Sequence, residues 1–264
     1  MSHEAELPGV MISKTQWQII LARYYFVGKF ISEKNVLEVG CGPGLGLAYL
    51  AERAKNLVAI DYSDENIKIA RNLYKRKNNN KKIKIIKADA HNLSILKTDN
   101  FDVIVAMATA YALDLDKFFN ECFNILKKGG LLIFDIPNKD IPGFRGSELG
   151  KSYYSVPEIF KILEKNQFEA KIFGAFSIKE GIRMEQREKF RVFIIRTFSN
   201  IIRLIPEKIG VRKFLDRFIF HKTILKKEIN NEDTKMIKDI KFIPLADDIP
   251  NFFYRILYFT AYKK

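Results

Sequence analysis

A chain of 264 residues, 47% of them apolar, can bury one large α/β core, which excludes a disordered tail. Two widely spaced cysteines, Cys41 and Cys122, make no disulfide framework, and no apolar run reaches the length of a bilayer-spanning helix, so a cytoplasmic protein is expected. The net charge of +14 is uneven: residues 1–140 hold 20 Lys/Arg against 16 Asp/Glu, and residues 141–264 hold 25 against 15. That basic second half suits nucleic acid, anionic lipid or a phosphorylated small molecule, and equally a lysine-rich solvated face.

The N-terminal stretch Met1 to Gly9 is acidic and shows no secretory h-region. Thr15 to Ile31 reads as a helix, with Trp17, Ile20, Leu21, Tyr24 and Tyr25 at helical spacing and Thr15 as its cap. Val36–Val39 is a first strand, ending in glycines at alternate positions, Gly40, Gly42, Gly44 and Gly46. A helix from Gly44 to Arg53 follows, then a strand Leu57–Asp61 and a helix from Asp64 to Lys77 capped by Ser63 or Asp64. Ile83–Ala88 and Phe101–Met107 are the third and fourth strands. Leu115–Lys127 is a helix stopped by Lys128-Gly129-Gly130, and Leu131–Ile136 is the fifth strand. Past a long loop, Pro137 to Ser155, come a helix Val156–Lys165, a strand Phe168–Phe176 and a last strand Phe252–Tyr262. The alternation predicts a Rossmann-like, doubly wound α/β fold. Its sheet is mostly parallel and seven-stranded, within a single domain over 1–264. A helical, basic insertion or lid, residues 177–251, precedes the last strand.

Strand, glycine turn and helix in succession make a cofactor site. A dinucleotide loop needs a third glycine where Leu45 stands, and a phosphate-binding loop needs Gly-Lys-Ser/Thr, which is missing. S-adenosylmethionine has no phosphate and asks instead for close backbone approach and carboxylates at two strand ends. Asp61, 21 residues after Gly40, is placed for the ribose hydroxyls, although it would also suit NAD. Asp89, ending the third strand, is the discriminator, placed for the adenine amino group with the Ala90 N–H beside it; otherwise it caps a turn.

These residues carry a resemblance. Val36–Gly44, Asp61-Tyr62-Ser63, Asp89-Ala90, Phe101–Ile104 and Leu126–Gly130 resemble, in order and spacing, the motifs of class I S-adenosylmethionine-dependent methyltransferases. The resemblance covers about residues 20–176. It implies that Glu38 and the backbone of Gly40, Cys41, Gly42 and Gly44 meet the methionine end. Asp61 and Tyr62 then hold the ribose, Asp89 and Ala90 read the adenine, and the Ala106 carbonyl lies near the cofactor amino group. It also implies that Arg23 and Tyr24 cover the cofactor carboxylate. The histidine many relatives carry after the fourth strand is absent, Tyr111-Ala112 standing there. Asp135 departs from the small residue common at its place and either lines the site or caps a turn, the latter being favoured.

Methyl transfer from a sulfonium depends mainly on alignment, and an aliphatic hydroxyl acceptor also needs a base. Ligands lie beyond the carboxyl ends of parallel strands, which points to Asn138–Tyr154. Arg145, Glu148, Tyr153 and Tyr154 are candidates there, with Glu148 and Tyr153 as the catalytic pair; Tyr111 and His221 join the substrate set. His91 reads as exposed, and no metal cluster is expected. Phe190, Phe193, Ile194 and Phe198 among Arg187, Arg191 and Arg196 form a basic amphipathic pattern. It suits a lid or, through 187–219, peripheral contact with an anionic membrane.

Looser cues, Tyr153–Glu158, Gly174–Phe176 and Arg203–Pro206, resemble methyltransferases of surface-polysaccharide biosynthesis. They imply an anionic small molecule or glycan precursor as acceptor. An isoprenoid quinone is the alternative. RNA fits less, since no RNA-binding module or base-flipping motif accompanies the charge; DNA is not expected. A degenerate, non-catalytic binding subunit is the remaining reading, opposed by the intact Asp61 and Asp89.

Overall fold

In the computed structural model the described residues are 11–75, 83–96, 100–146, 150, 153–177, 222–224, 228–235, 237 and 239–264. The chain forms β1 (Met11–Ser13), α1 (Lys14–Gly28), β2 (Asn35–Val39), α2 (Leu47–Ala51), β3 (Asn56–Asp61) and α3 (Asp64–Lys75). Next come β4 (Ile83–Lys87), β5 (Phe101–Ala106), α4 (Leu115–Ile125), β6 (Leu126–Pro137), α5 (Val156–Lys165) and β7 (Phe168–Ser177). Then follow β8 (Lys222–Ile224), α6 (Asn231–Lys235), β9 (Ile243–Pro244) and β10 (Tyr254–Lys263).

The main sheet runs β4-β3-β2-β5-β6-β10-β7-β9. Strands β4, β3, β2, β5 and β6 are parallel, and β10 lies antiparallel to both neighbours, β6 and β7. The Rossmann-like expectation holds. The sheet has eight strands rather than seven, because Ile243–Pro244 pairs with the edge of β7. A second, two-stranded sheet joins β1 to β8, with Ile12 opposite Thr223.

Alternating side chains feed two apolar layers. Val36, Val103, Leu131, Ile133 and Tyr258 face the layer with α1 and α2. Leu37, Ile104, Leu132, Phe134 and Phe259 face the layer with α4 and α5. Phe134 and Phe259 stack across the β6–β10 ladder, 4.7 Å between centroids.

Several boundaries differ from expectation. Helix α2 begins only at Leu47, because Gly40, Gly42 and Gly44 take positive φ and keep the chain in a turn. Helix α4 ends at Ile125, with Leu126 already extended (φ −74, ψ 141). Gly129 is therefore left-handed inside an irregular strand rather than beyond a helix. Ser63 does cap α3, its hydroxyl accepting the Asn66 N–H. Ser155 and Glu158 form a capping box at α5.

The stretch 177–251 is not wholly helical: its described residues include β8, α6 and β9. Ile229 and Ile237 are buried in the α1 layer, and the Ile229 N–H donates to the Leu45 carbonyl at 2.9 Å. That bond ties this stretch to the glycine loop. Asp233 and Asn230 bond reciprocally, Asn231 reaches Glu52 and Arg53, and the Arg53 guanidinium lies 3.5 Å over the Tyr49 ring. The basic amphipathic pattern over 187–219 lies outside the described residues. Among the described residues no helix is long and apolar enough to cross a membrane.

Candidate functional site

The loop after β2 is shaped by its own backbone. The Ile60 carbonyl of β3 accepts both the Gly40 N–H (2.8 Å) and the Cys41 N–H (2.9 Å). Asp61 Oδ2 accepts the Gly42 N–H at 2.9 Å, and the Cys41 carbonyl accepts the Gly44 N–H. Gly40 has φ +72, and a Cβ there would stand 2.2 Å from Thr109 Oγ1, so both conformation and space require glycine. A Cβ on Gly46 would overlap the Tyr24 ring. At Gly42 nothing lies within 4 Å of the Cβ position, so the loop is open on that side.

Glu38 stands next to last in β2, on the α1 face, and is 2% exposed. The Tyr24 hydroxyl donates to Glu38 Oε1 at 3.2 Å, while Oε2 has no partner. Burial pushes this carboxyl up to about 8, the Tyr24 bond opposes the shift and the Asp61 charge adds to it. Asp61 is half-buried; its Oδ1 accepts from the Ser63 N–H at 2.9 Å and from Asn66 Nδ2 at 3.2 Å. Tyr62 is 75% exposed beside it. Cys41 is buried and its thiol is pushed up by burial and by the Glu38 and Asp61 charges, so it is no nucleophile. Ala106 is fully buried at the end of β5.

Asp89 is exposed, and its Oδ1 caps a turn by accepting the His91 N–H (2.8 Å) and meeting His91 Nδ1 (3.1 Å). His91 is half-buried rather than exposed. Its Nε2 accepts the Asp114 N–H at 3.1 Å, so the ring joins the end of β4 to the start of α4. One assignment changes. Asp135 is not a turn cap but a buried partner of Arg23, Nε to Oδ2 at 2.9 Å. Arg23 is thereby tied into the core through its Nε, and the Tyr24 hydroxyl reaches Glu38.

Beyond the ends of β5 and β6, Tyr111 and Tyr153 lie nearly parallel at 6.4 Å, and Phe144 meets Tyr153 edge-on at 4.9 Å. The structure thus unites Tyr111 and Tyr153 and adds Phe144. Arg145 is exposed, and Tyr154 turns toward the α4–α5 core layer instead. Glu148 and His221 lie outside the described residues. Side-chain bonds brace the start of the loop that carries Phe144 and Tyr153. Asn138 Nδ2 donates to the carbonyls of Asn251 (2.6 Å) and Tyr254 (2.8 Å), and Asn138 Oδ1 accepts the Asp140 N–H. The Asp140 carboxyl accepts from the backbones of Val156 and Asn251, keeps a buried Oδ2 without a partner, and is pushed up by burial.

Sequence reasoning passed over Thr109, Phe144, Asp140 and Ile229; only Asp140, beside Pro137-Asn138, carried a local signal. Among the described residues no group of three or more His, Cys, Asp or Glu could hold a metal ion.

The donor set fits S-adenosylmethionine. An orphaned buried carboxylate oxygen suits its ammonium, an open glycine turn admits its chain, and carboxylates end two neighbouring strands. Residues 37–134 match the methyltransferase domain family. A "probable S-adenosylmethionine-dependent methyltransferase" of Mycobacterium tuberculosis is 31% identical over 107 residues, 40% of this chain and 36% of that protein. A ubiquinone biosynthesis O-methyltransferase of Coxiella burnetii is 28% identical over 135 residues, 50% of this chain and 53% of that protein. The chain thus spans about a third to a half of the curated relatives it matches. The YcgJ protein of Bacillus subtilis shares the fold at TM-score 0.54 and 16% identity, over 94% of this chain and 99% of that one. So does a phosphoethanolamine N-methyltransferase of Haemonchus contortus, at TM-score 0.56 and 17% identity, over 96% and 54%. The solved structures share the Rossmann-like fold, and residues 37–134 are similar to a methyltransferase domain.

Proposed function

We propose that this chain transfers a methyl group from S-adenosylmethionine to an oxygen of a small acceptor carrying a ring. The observation that carries the reading is Glu38, buried next to last in β2 with Oε2 unpartnered beside an open glycine turn. Such a carboxylate is costly unless a cation meets it, and the cofactor's ammonium is one. The cofactor supplies the activated methyl on its sulfonium. Glu38 and Tyr24 would hold the methionine end, Asp61 the ribose, and Asp89 with Ala90 the adenine. Tyr111, Phe144 and Tyr153 would stack against the acceptor ring and orient it, which is where alignment yields rate. A hydroxyl acceptor needs a base, for which Glu148 and Asp140 are the candidates and Tyr153 a proton relay.

A sugar or glycan precursor, phosphorylated or nucleotide-linked, is the first acceptor class, because aromatic rings stack on sugar faces and the second half of the chain is basic. An isoprenoid quinone precursor is the second, favoured by the aromatic trio and by similarity to the ubiquinone biosynthesis O-methyltransferase of Coxiella burnetii. The basic stretch 187–219 supports peripheral contact with an anionic surface, checked by flotation with phosphatidylserine vesicles.

Calorimetry with S-adenosylhomocysteine and NADH tests the cofactor: the first should bind and the second should not, and the reverse would sink the reading. Labelled methyl donor, offered with nucleotide-sugars and with a prenylated catechol, then separates the acceptor classes.

A further inference from the structure

In β6, Leu131 and Ile133 face α1, while Leu132, Phe134 and Ile136 face α4 and α5. Asp135 continues the α1 series, so a carboxylate stands where the alternation expects an apolar side chain. It is 1% exposed and lies across the ladder from Tyr258, whose hydroxyl is also buried. Asp135 Oδ2 accepts from Arg23 Nε at 2.9 Å, and Oδ1 accepts the Ala108 N–H at 2.5 Å. Ala108 has φ +53, a left-handed conformation that costs a side-chain-bearing residue. The next residue, Thr109, donates to the Met107 carbonyl and packs on Gly40.

A buried ion pair is a weak stabiliser, since desolvation offsets the attraction and two apolar side chains often replace it without loss. Stability alone therefore does not account for Arg23 and Asp135. What the pair does, and two apolar groups cannot do, is present a fixed acceptor to the Ala108 amide. We infer that Asp135, oriented by Arg23, is a positioning residue that holds the Ala108 turn, and with it Thr109, as one wall of the glycine-loop site. The inference rests on the methyltransferase reading of that site. Arg23 and Tyr24 are neighbours, so one turn of α1 serves two walls: Tyr24 through Glu38, Arg23 through Asp135.

The test compares the wild type with Arg23→Met/Asp135→Leu and Arg23→Gln/Asp135→Asn. The apolar pair is expected to stay folded, its Tm lowered by only a few degrees for the unpaired Ala108 amide, and to bind S-adenosylhomocysteine about tenfold more weakly. Its Ala108 amide should also lose protection in hydrogen exchange. The amide pair, which keeps an acceptor for that N–H, should bind close to wild type. Wild-type affinity in the apolar pair overturns the inference. Should that variant not fold, Arg23→Gln/Asp135→Ala replaces it; affinity equal to the amide pair again overturns the idea. Failure of the wild type to bind S-adenosylhomocysteine is a different result, which strikes the methyltransferase reading before any substitution is made.

Discussion

The glycine loop and the loop beyond β6 border the same edge of the sheet and are built on opposite plans. In the first, successive amides are fixed by neighbouring backbone and by Asp61, and the loop's shape is set within a few residues of sequence. In the second, side-chain amides and carboxylates from distant segments, Asn138, Asp140 and Asn251, hold a frame that displays aromatic rings. The contrast teaches where each kind of recognition resides. On the proposed function, a cofactor shared across a fold would be met by backbone shape, and an acceptor particular to one protein by side chains on a frame assembled from afar.

The strongest challenge to the first plan is the charge it encloses. Glu38 sits near 8 when folded, against an ordinary 4.5, so the folded state holds a proton the unfolded state has lost. Stability of the ligand-free protein should fall as pH rises from 4.5 to 8, by on the order of 5 kcal/mol, and level off above. Denaturant titrations at pH 5, 7 and 9 measure this, and Glu38→Gln should flatten the profile. Cofactor binding near pH 7 should release a proton, seen in calorimetry as a dependence on buffer ionisation enthalpy.

Two glycines of nearly equal φ sharpen the same point. Gly40 (φ +72) is walled by Thr109, and Gly143 (φ +73) in the acceptor loop has nothing within 4 Å of its Cβ position. Gly40→Ala should cost about 2–5 kcal/mol, conformational strain plus overpacking. Gly143→Ala should cost about 1–2 kcal/mol, strain alone. Equal losses in chemical denaturation would remove Thr109's part.

On the second plan, Tyr111→Ala or Tyr153→Ala should raise the acceptor KM by about fivefold, the worth of roughly one aromatic contact, and leave cofactor affinity unchanged. A fall in cofactor affinity instead would merge the two regions. The smallest effect belongs to Glu158. Lys139 and the Ser155 amide and hydroxyl bring it down to about 2. Its folded value is depressed, so its contribution is present above 4.5 and lost as pH falls toward 2. Because the pair is half exposed, Glu158→Gln should lower stability by less than about 1 kcal/mol.

The succession of strands and helices, the glycine turn and the places of Asp61 and Asp89 at strand ends were legible because each depends on local periodicity or on a conformation few residues adopt. The end of α4 was misread, since glycines that stop helices also bend strands. Asp135 was misread because its partner Arg23 lies 112 residues away, and spacing cannot report a pair formed through the core. Thr109 and Ile229 were missed for the same reason. Phe144 escaped because an aromatic in a loop has no period. The role of Asp102 was visible only as a motif; in the structure it accepts from the Asn35 amide and Lys127, joining the starts of β2 and β6.

Strand β10 lies between β6 and β7, both made before it on the ribosome. Until Tyr254–Lys263 emerges, β6 ends in an open parallel edge and β7 has no neighbour to bridge it to the sheet. Those are two bare templates for unwanted strand pairing. The wait spans the whole stretch from Ser177 to Tyr254, and closing so long a loop slows the final zipping. A synthesis that stalls in this interval should therefore yield an aggregation-prone chain with a nearly finished cofactor half.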